Sequence, residues 1–209
     1  MRVDICDNNN ILQFHDTIRT KLSKYDVNLI GIIPKSKEFY LDHKESKSDL
    51  KMLEDTLRLC DGIILPGGVD PFDYDMYIAR YCYEHDIPIL GICLGMQVMG
   101  MILGGEVGHI GKDNHYVKGN PSELIHPVNI DLNSKFFQIV KKEKIMVNSR
   151  HHDHVINLDS QFIVGISDDH IIEAIEDKTK RFFIGVQWHP EDQLDLETEL
   201  LFDAFINEL

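Results

Sequence analysis

The sequence predicts an α/β protein with a mostly parallel central sheet, helices on both faces and antiparallel additions. Two observations carry that expectation. In the first half, short apolar runs that suit buried strands alternate with stretches of helical spacing, the pattern of parallel strands joined by helices. In the second half the apolar runs are short and divided by turns, the pattern of antiparallel pairing.

Taken in order, Arg2–Cys6 reads as a strand, and Ile11–Tyr25 as a helix with Ile11, Phe14, Ile18 and Leu22 on one face. Val27–Ile33 is an apolar run ending at Pro34, and the polar, mixed-charge stretch Lys35–Asp49 reads as a surface loop. Leu50–Cys60 has helical spacing at Leu50, Leu53, Leu57 and Cys60. Gly62–Leu65 is a buried strand closed by Pro66-Gly67-Gly68. Asp73–Asp86 is helical, Pro88–Ile92 is an apolar strand, and Leu94–Leu103 is a helix rich in Met and small residues. Beyond Glu106 the expected strands are Leu124–Ile130, Lys144–Val147, Gln161–Ser167, His170–Glu176 and Phe182–Val186, with Asp168-Asp169 at a hairpin turn. Leu194–Leu209 closes the chain as a helix.

The 209 residues suit one domain, residues 1–209, with a substantial core. Hydrophobic residues make up 43% and charged residues 27%, the balance of a soluble globular protein. Lys plus Arg is 21 and Asp plus Glu is 35, a net charge of −14, which argues against nucleic acid and anionic membranes as partners. The four cysteines, Cys6, Cys60, Cys82 and Cys93, are widely spaced with no CxxC pair, which suits a reducing cytoplasm better than a disulfide framework. The N-terminus shows no signal-peptide pattern, and no apolar run reaches the ~18 residues of a spanning helix. The expectation is therefore a cytoplasmic protein.

Three segments carry candidate chemistry. Pro88–Ile92 runs straight into Gly91-Ile92-Cys93-Leu94-Gly95, and a helix follows. This is the cysteine form of a nucleophile elbow, in which a sharp turn points the nucleophile into a cleft. Gly91 and Gly95 lack Cβ atoms, so strand and helix can approach closely. The positive end of the helix favours negative charge at sulfur, and the Leu94 N–H is free to face a developing oxyanion. The same residues would also suit a small buried cysteine in a tight turn.

The second segment is the Pro66-Gly67-Gly68 loop at the end of an apolar strand, where either glycine N–H can face a ligand or simply complete a turn. The third is Trp188-His189-Pro190-Glu191. A thiol needs a base and the base an orienting carboxylate, which His189 and Glu191 supply. Pro190 restricts the backbone between them. A capped strand end with a surface His and Glu is the alternative.

Together GICLGMQ, the upstream LPGG loop and GVQWHPE resemble, in that order, the class I glutamine amidotransferase-like superfamily. The resemblance runs from Asp61 onward and implies a flavodoxin-like α/β fold with Cys93, His189 and Glu191 as catalytic triad. Within it, Val147–His152 (VNSRHH), Ile172–Glu176 (IEAIE) and Trp188 resemble the γ-glutamyl-γ-aminobutyrate hydrolase-like branch, peptidase C26. Leu94 stands where that branch usually has Arg, and Asp153 where it usually has Gln.

The resemblance implies hydrolysis of a γ-glutamyl amide, a small-molecule substrate, through a γ-glutamyl thioester on Cys93. Leu94 and Gly68 would form the oxyanion hole. Gly67, Gln97, Ser149, Arg150 and His151 would bind substrate, with Arg150 either paired to a substrate carboxylate or a solvated surface arginine. For His151, His152 and His154, substrate contact ranks first, a structural role second and metal ligation last, because neighbours on a strand point to opposite faces. No metal or organic cofactor is needed. The alternative is a glutaminase subunit that supplies ammonia to a separate synthase partner, favoured by Leu94 and opposed by VNSRHH, EAIE and Trp188. The intact Cys93, His189 and Glu191 argue against a non-catalytic binding protein on the same fold, and a thiol redox or stress protein with a cysteine elbow would not require His189-Pro190-Glu191. The amine leaving group and the oligomeric state are not legible in the sequence.

Overall fold

A computed structural model describes residues 3–6, 11–14, 16–32, 44–111, 115–116 and 119–209. The chain forms β1 (Val3–Cys6), β2 (Ile11–Phe14), α1 (Asp16–Leu22), α2 (Lys44–Leu57), β3 (Ile63–Leu65), α3 (Asp73–His85), β4 (Ile89–Ile92) and α4 (Leu94–Ile102). There follow β5 (Glu106–His109), β6 (His126–Ile130), α5 (Lys135–Val140), β7 (Lys144–Val147), β8 (Asp153–Ile156), β9 (Ile163–Ser167), β10 (Ile172–Glu176), β11 (Phe183–Val186) and α6 (Leu196–Ile206).

Among the described residues, seven strands form one sheet in the order β3-β4-β11-β10-β9-β6-β7. Among the described residues, β4 pairs in parallel with β3 and β11. The other pairings, β11–β10, β10–β9, β9–β6 and β6–β7, are antiparallel. The parallel core with antiparallel additions is thus present, and the additions are the larger part of what is described.

Alternation along the central strands explains why helices cover both faces. Ile64, Leu90, Ile92, Ile184 and Val186 point to one side, where they pack with Ile18 and Leu22 of α1, Phe136 of α5 and Phe202 and Phe205 of α6. Ile63, Leu65, Ile89 and Phe183 point to the other, against Leu57 of α2, Ile78 of α3 and Met96 and Met99 of α4. No helix among the described residues is long and apolar enough to cross a membrane.

Several elements differ from the sequence reading. Ile11–Phe14 is not the start of a helix but a strand paired antiparallel with Val3–Cys6, and helix begins only at Asp16. A four-residue run with β-branched and aromatic residues suits either state, and pairing with a neighbouring strand decides it. Ile18 and Leu22, one turn apart, keep the expected buried face. Helix α2 starts inside the stretch read as a surface loop and stops at Leu57. Residues 33–43 of that stretch lie outside the described residues, and 27–32 form no strand.

Three elements were not expected. Strands β5 and β8 pair with each other, apart from the main sheet. Helix α5 is held at its N-terminus by Ser134, whose Oγ accepts the Phe137 N–H at 2.8 Å, and by the Glu176 carboxylate, which accepts the N–H groups of Lys135 and Phe136 at 2.8 Å each. The other strands and helices of the reading are present, with ends shifted by a few residues.

Candidate active site

Cys93 stands between β4 and α4 with φ 52° and ψ −106°, a left-handed backbone conformation that is unusual for a non-glycine residue. Its N–H donates to the Val186 carbonyl at 2.8 Å, so the end of β11 holds the turn. The two flanking glycines are required by close approach. A Cβ on Gly91 would fall 2.4 Å from Met99 Sδ and 2.8 Å from the backbone of Gly95 and Met96. One on Gly95 would fall 2.0 Å from the Leu65 carbonyl oxygen of β3. Cys93 is almost fully buried, and Leu94 is the first residue of α4, so its N–H has no acceptor within the helix.

The Pro66-Gly67-Gly68 loop reaches the same place. A methyl group on Gly67 would lie 2.9 Å from His189 Cε1 and 3.5 Å from Cys93 Cβ. Gly67 is therefore the backbone wall of a space shared by the cysteine and the histidine. Gly68, next in the chain, is exposed.

After β11 the chain passes through buried Trp188 to His189 and then makes a short 3-10 turn over Pro190–Asp192. That turn carries Glu191 back to His189, whose Nδ1 lies 2.8 Å from Glu191 Oε1. Burial disfavours the imidazolium, but the negative charge and hydrogen bonds of Glu191 and Cys93 outweigh it and push His189 up to about 10. Burial likewise opposes ionised Glu191, yet the charge and hydrogen bond of His189 hold its pKa below the ordinary carboxylate value. The arrangement is a positively charged imidazole between a carboxylate and a sulfur, able to move a proton at the sulfur side.

Other contacts hold this group in place. Asn148, just after β7, accepts the His189 N–H at 2.8 Å and donates to the His189 carbonyl at 2.8 Å. The same amide donates to the Pro121 carbonyl at 2.9 Å. Lys21 of α1 is buried and donates to the Gln193 carbonyl at 2.6 Å and to Glu199 at 2.8 Å. The sequence reading missed both residues. Asn148 lies inside the VNSRHH segment, but nothing local marks it as the residue that grips His189.

The expected substrate-contact side chains are engaged within the protein. Gln97 donates to the Asp153 carbonyl at 2.9 Å and to Gln187 at 3.3 Å. The Ser149 hydroxyl donates to the His115 carbonyl at 2.7 Å. Arg150 pairs with Asp192, and its charge helps to keep Glu191 ionised. His151 is buried and turned toward Glu173, whereas His152 stacks on Tyr116 with ring centroids 4.1 Å apart. A cavity of about 440 Å³ beside Ile18, Ile63 and Phe205 includes none of Cys93, His189 and Glu191.

Comparison with known proteins identifies the fold and the family. The family model for peptidase C26 matches residues 44–191. A glutamine amidotransferase-like protein of Rickettsia prowazekii is 27% identical, over 72% of this chain and 77% of its own length. A glutamine-hydrolyzing GMP synthase subunit from Archaeoglobus fulgidus is 35% identical, over 68% of this chain and 75% of its own length. Longer CTP synthase and GMP synthase relatives also match, and the chain spans 33% and 27% of the length of two of them. Among solved structures, that of a GMP synthase subunit protein from Thermoplasma acidophilum superposes with a TM-score of 0.66 at 21% identity, covering 99% of this chain and 91% of that one. The fold is that of the class I glutamine amidotransferases, and the chain belongs to the peptidase C26 family, hydrolases that act on amide bonds.

Proposed function

We propose that the protein hydrolyses γ-glutamyl amides through a thioester on Cys93. The observation that carries this reading is the convergence of three separate segments: Cys93 on its left-handed turn, His189 beside it across Gly67, and Glu191 2.8 Å from the far ring nitrogen. The Cys93 sulfur attacks the γ-carbonyl, and the oxyanion is held by the N–H groups of Leu94 and Gly68. His189, charged and oriented by Glu191, gives its proton to the leaving amine as the C–N bond breaks. Neutral His189 then takes a proton from water, which attacks the thioester and releases glutamate with the thiolate restored. Ser149 and Arg150 directly follow the residue that holds His189, and their backbone is assigned to the α-amino and α-carboxylate end of the glutamyl group.

A second reading is carried by the Archaeoglobus relative, named as a subunit of GMP synthase. On that reading the same triad hydrolyses glutamine and delivers ammonia to a separate synthase.

One assay separates the two. The purified protein and its Cys93→Ala variant are given a panel of γ-glutamyl amides and glutamine, and glutamate release is measured. Turnover of one or more amides well above glutamine, abolished in the variant, is expected. Slow turnover of glutamine alone favours the synthase-linked reading. Turnover that survives in the variant rejects Cys93 as nucleophile.

A further inference from the structure

Behind the catalytic segment lies a second group of ionisable side chains that the proposed reaction does not use. Glu173 of β10 is completely buried, and among the described residues neither of its carboxylate oxygens has a hydrogen bond of good geometry. Around Glu173 Oε1 stand His115 Nδ1 at 3.2 Å, His126 Nε2 at 3.6 Å and His151 Nε2 at 3.6 Å. Among the described residues none of these three nitrogens has a hydrogen bond of good geometry either. All four donor atoms lie within 4.8 Å of one another. A buried carboxylate faced only by imidazole rings is costly enough that a compensating charge is expected against it, and those rings hold its pKa below the ordinary carboxylate value.

The outer nitrogen of each ring shows which way its proton points. His115 Nε2 faces the Asp169 carboxylate at 3.1 Å, His126 Nδ1 the Pro127 carbonyl at 3.3 Å, and His151 Nδ1 the Asp153 carbonyl at 3.1 Å. All three partners are acceptors, so each outer nitrogen carries the hydrogen. In a neutral ring the inner nitrogen is then a bare lone pair. Three lone pairs and a carboxylate oxygen converging on one point repel one another unless one ring is protonated, as the neighbouring carboxylates favour for His115, or a cation lies between them. Histidines whose outer N–H is tied to a carboxylate or a backbone carbonyl are the usual arrangement around a bound metal.

We propose that His115, His126, His151 and Glu173 hold one first-row divalent metal ion, best matched by zinc, in a closed structural site. Four ligands ~2.0–2.1 Å from a tetrahedral ion stand roughly 3.3 Å apart, close to the separations around Glu173 Oε1. Three imidazoles and one carboxylate suit zinc, and four protein ligands leave no position for substrate or water. The ion ties together elements that support the triad. Glu173 accepts the Gln187 N–H at 2.8 Å through its carbonyl, two residues before His189. The His115 carbonyl accepts from both Ser149 Oγ and the His151 N–H, just beyond Asn148. His152 points away from the cluster, so neighbouring histidines do not share the ion.

The test counts zinc on the full chain. Protein is stripped with a chelator at neutral pH, supplied with zinc chloride, desalted, and assayed for metal content and melting temperature. The Cys93→Ala background removes the thiolate of the triad, where His189, Glu191 and Asp192 are also clustered. One equivalent of zinc per chain with a raised Tm is expected in that background. His126→Ala is expected to abolish stoichiometric uptake. Asp169→Asn, at a carboxylate that faces His115 and also accepts the Ser167 hydroxyl, should weaken zinc binding by ~10–100-fold while preserving the circular dichroism spectrum. No uptake by the Cys93→Ala protein overturns the proposal, leaving a cluster in which a protonated histidine neutralises Glu173. Uptake lost in Cys93→Ala but kept in both other variants also overturns it, because the ion then sits at the triad.

Discussion

Asn148 grips His189 by both of its backbone polar groups, accepting from its N–H and donating to its carbonyl at 2.8 Å each. This fixes where β11 ends and therefore where the imidazole sits relative to Cys93. A histidine at the end of a strand would otherwise have backbone freedom on the side away from the sheet.

Asn148→Asp keeps the acceptor but replaces the donor with a second oxygen facing the His189 carbonyl. Displacement of a reacting group by about 1 Å can cost on the order of 100-fold in rate. We expect kcat to fall by ~10–100-fold with little change in KM. A proportionate rise in KM with unchanged kcat would place Asn148 in substrate binding instead.

Glu191→Gln tests the charge on His189. Folded His189 is pushed up to about 10 from the ordinary 6.5, so the native state holds this proton more tightly than the unfolded chain. The stability it contributes is therefore complete below pH 6.5 and is lost as pH rises through about 10. Nitrogen NMR of labelled histidine should show the His189 ring protonated at pH 8, and neutral there in the variant. The variant should also lose ~100–10,000-fold in kcat, the scale for a base stripped of its orienting carboxylate. A neutral His189 at pH 8 in the unaltered protein would sink this account.

Two glycine substitutions should fail in different ways. Gly95→Ala drives a methyl group into the Leu65 carbonyl, a backbone atom of β3 beneath α4 that cannot step aside. Overpacking of this kind costs ~1–3 kcal/mol or more, so a lowered Tm or loss of soluble protein is expected. Gly67→Ala meets the edge of the His189 ring, so activity should drop with much less change in Tm. Equal melting temperatures for Gly95→Ala and the unaltered protein would show that the β3–α4 contact is looser than described.

Lys21→Met removes a buried donor to the Gln193 carbonyl and one of the two lysine partners described for Glu199. Burial lowers the lysine pKa, opposed by the charges of Asp195, Asp192 and Glu191. The stem of Met fills most of the same space, so the change isolates the ammonium. A loss of ~1–3 kcal/mol in denaturant unfolding is expected, the scale for hydrogen bonds to a charged group. An unchanged midpoint would mean that α1 does not brace the loop after Glu191.

Much of this protein was legible from local pattern. Unbroken apolar runs in Ile63–Leu65, Ile89–Ile92 and Phe183–Val186 mark strands buried on both faces, because side chains alternate across a strand whatever the rest of the chain does. Gly91 and Gly95 around Cys93, and Pro190 between His189 and Glu191, mark turns whose geometry is set within a few residues. Local pattern failed where two states were close in energy. Ile11–Phe14 became a strand through pairing with Val3–Cys6, and α5 formed although its cap Ser134 passed unnoticed. What only the tertiary structure decided lies in contacts between distant residues. Asn148 meets His189 across 41 positions, and His115, His126, His151 and Glu173 come from four separate segments. No sequence spacing encodes such meetings, because the order of strands in the sheet, not distance along the chain, determines which side chains share a buried point.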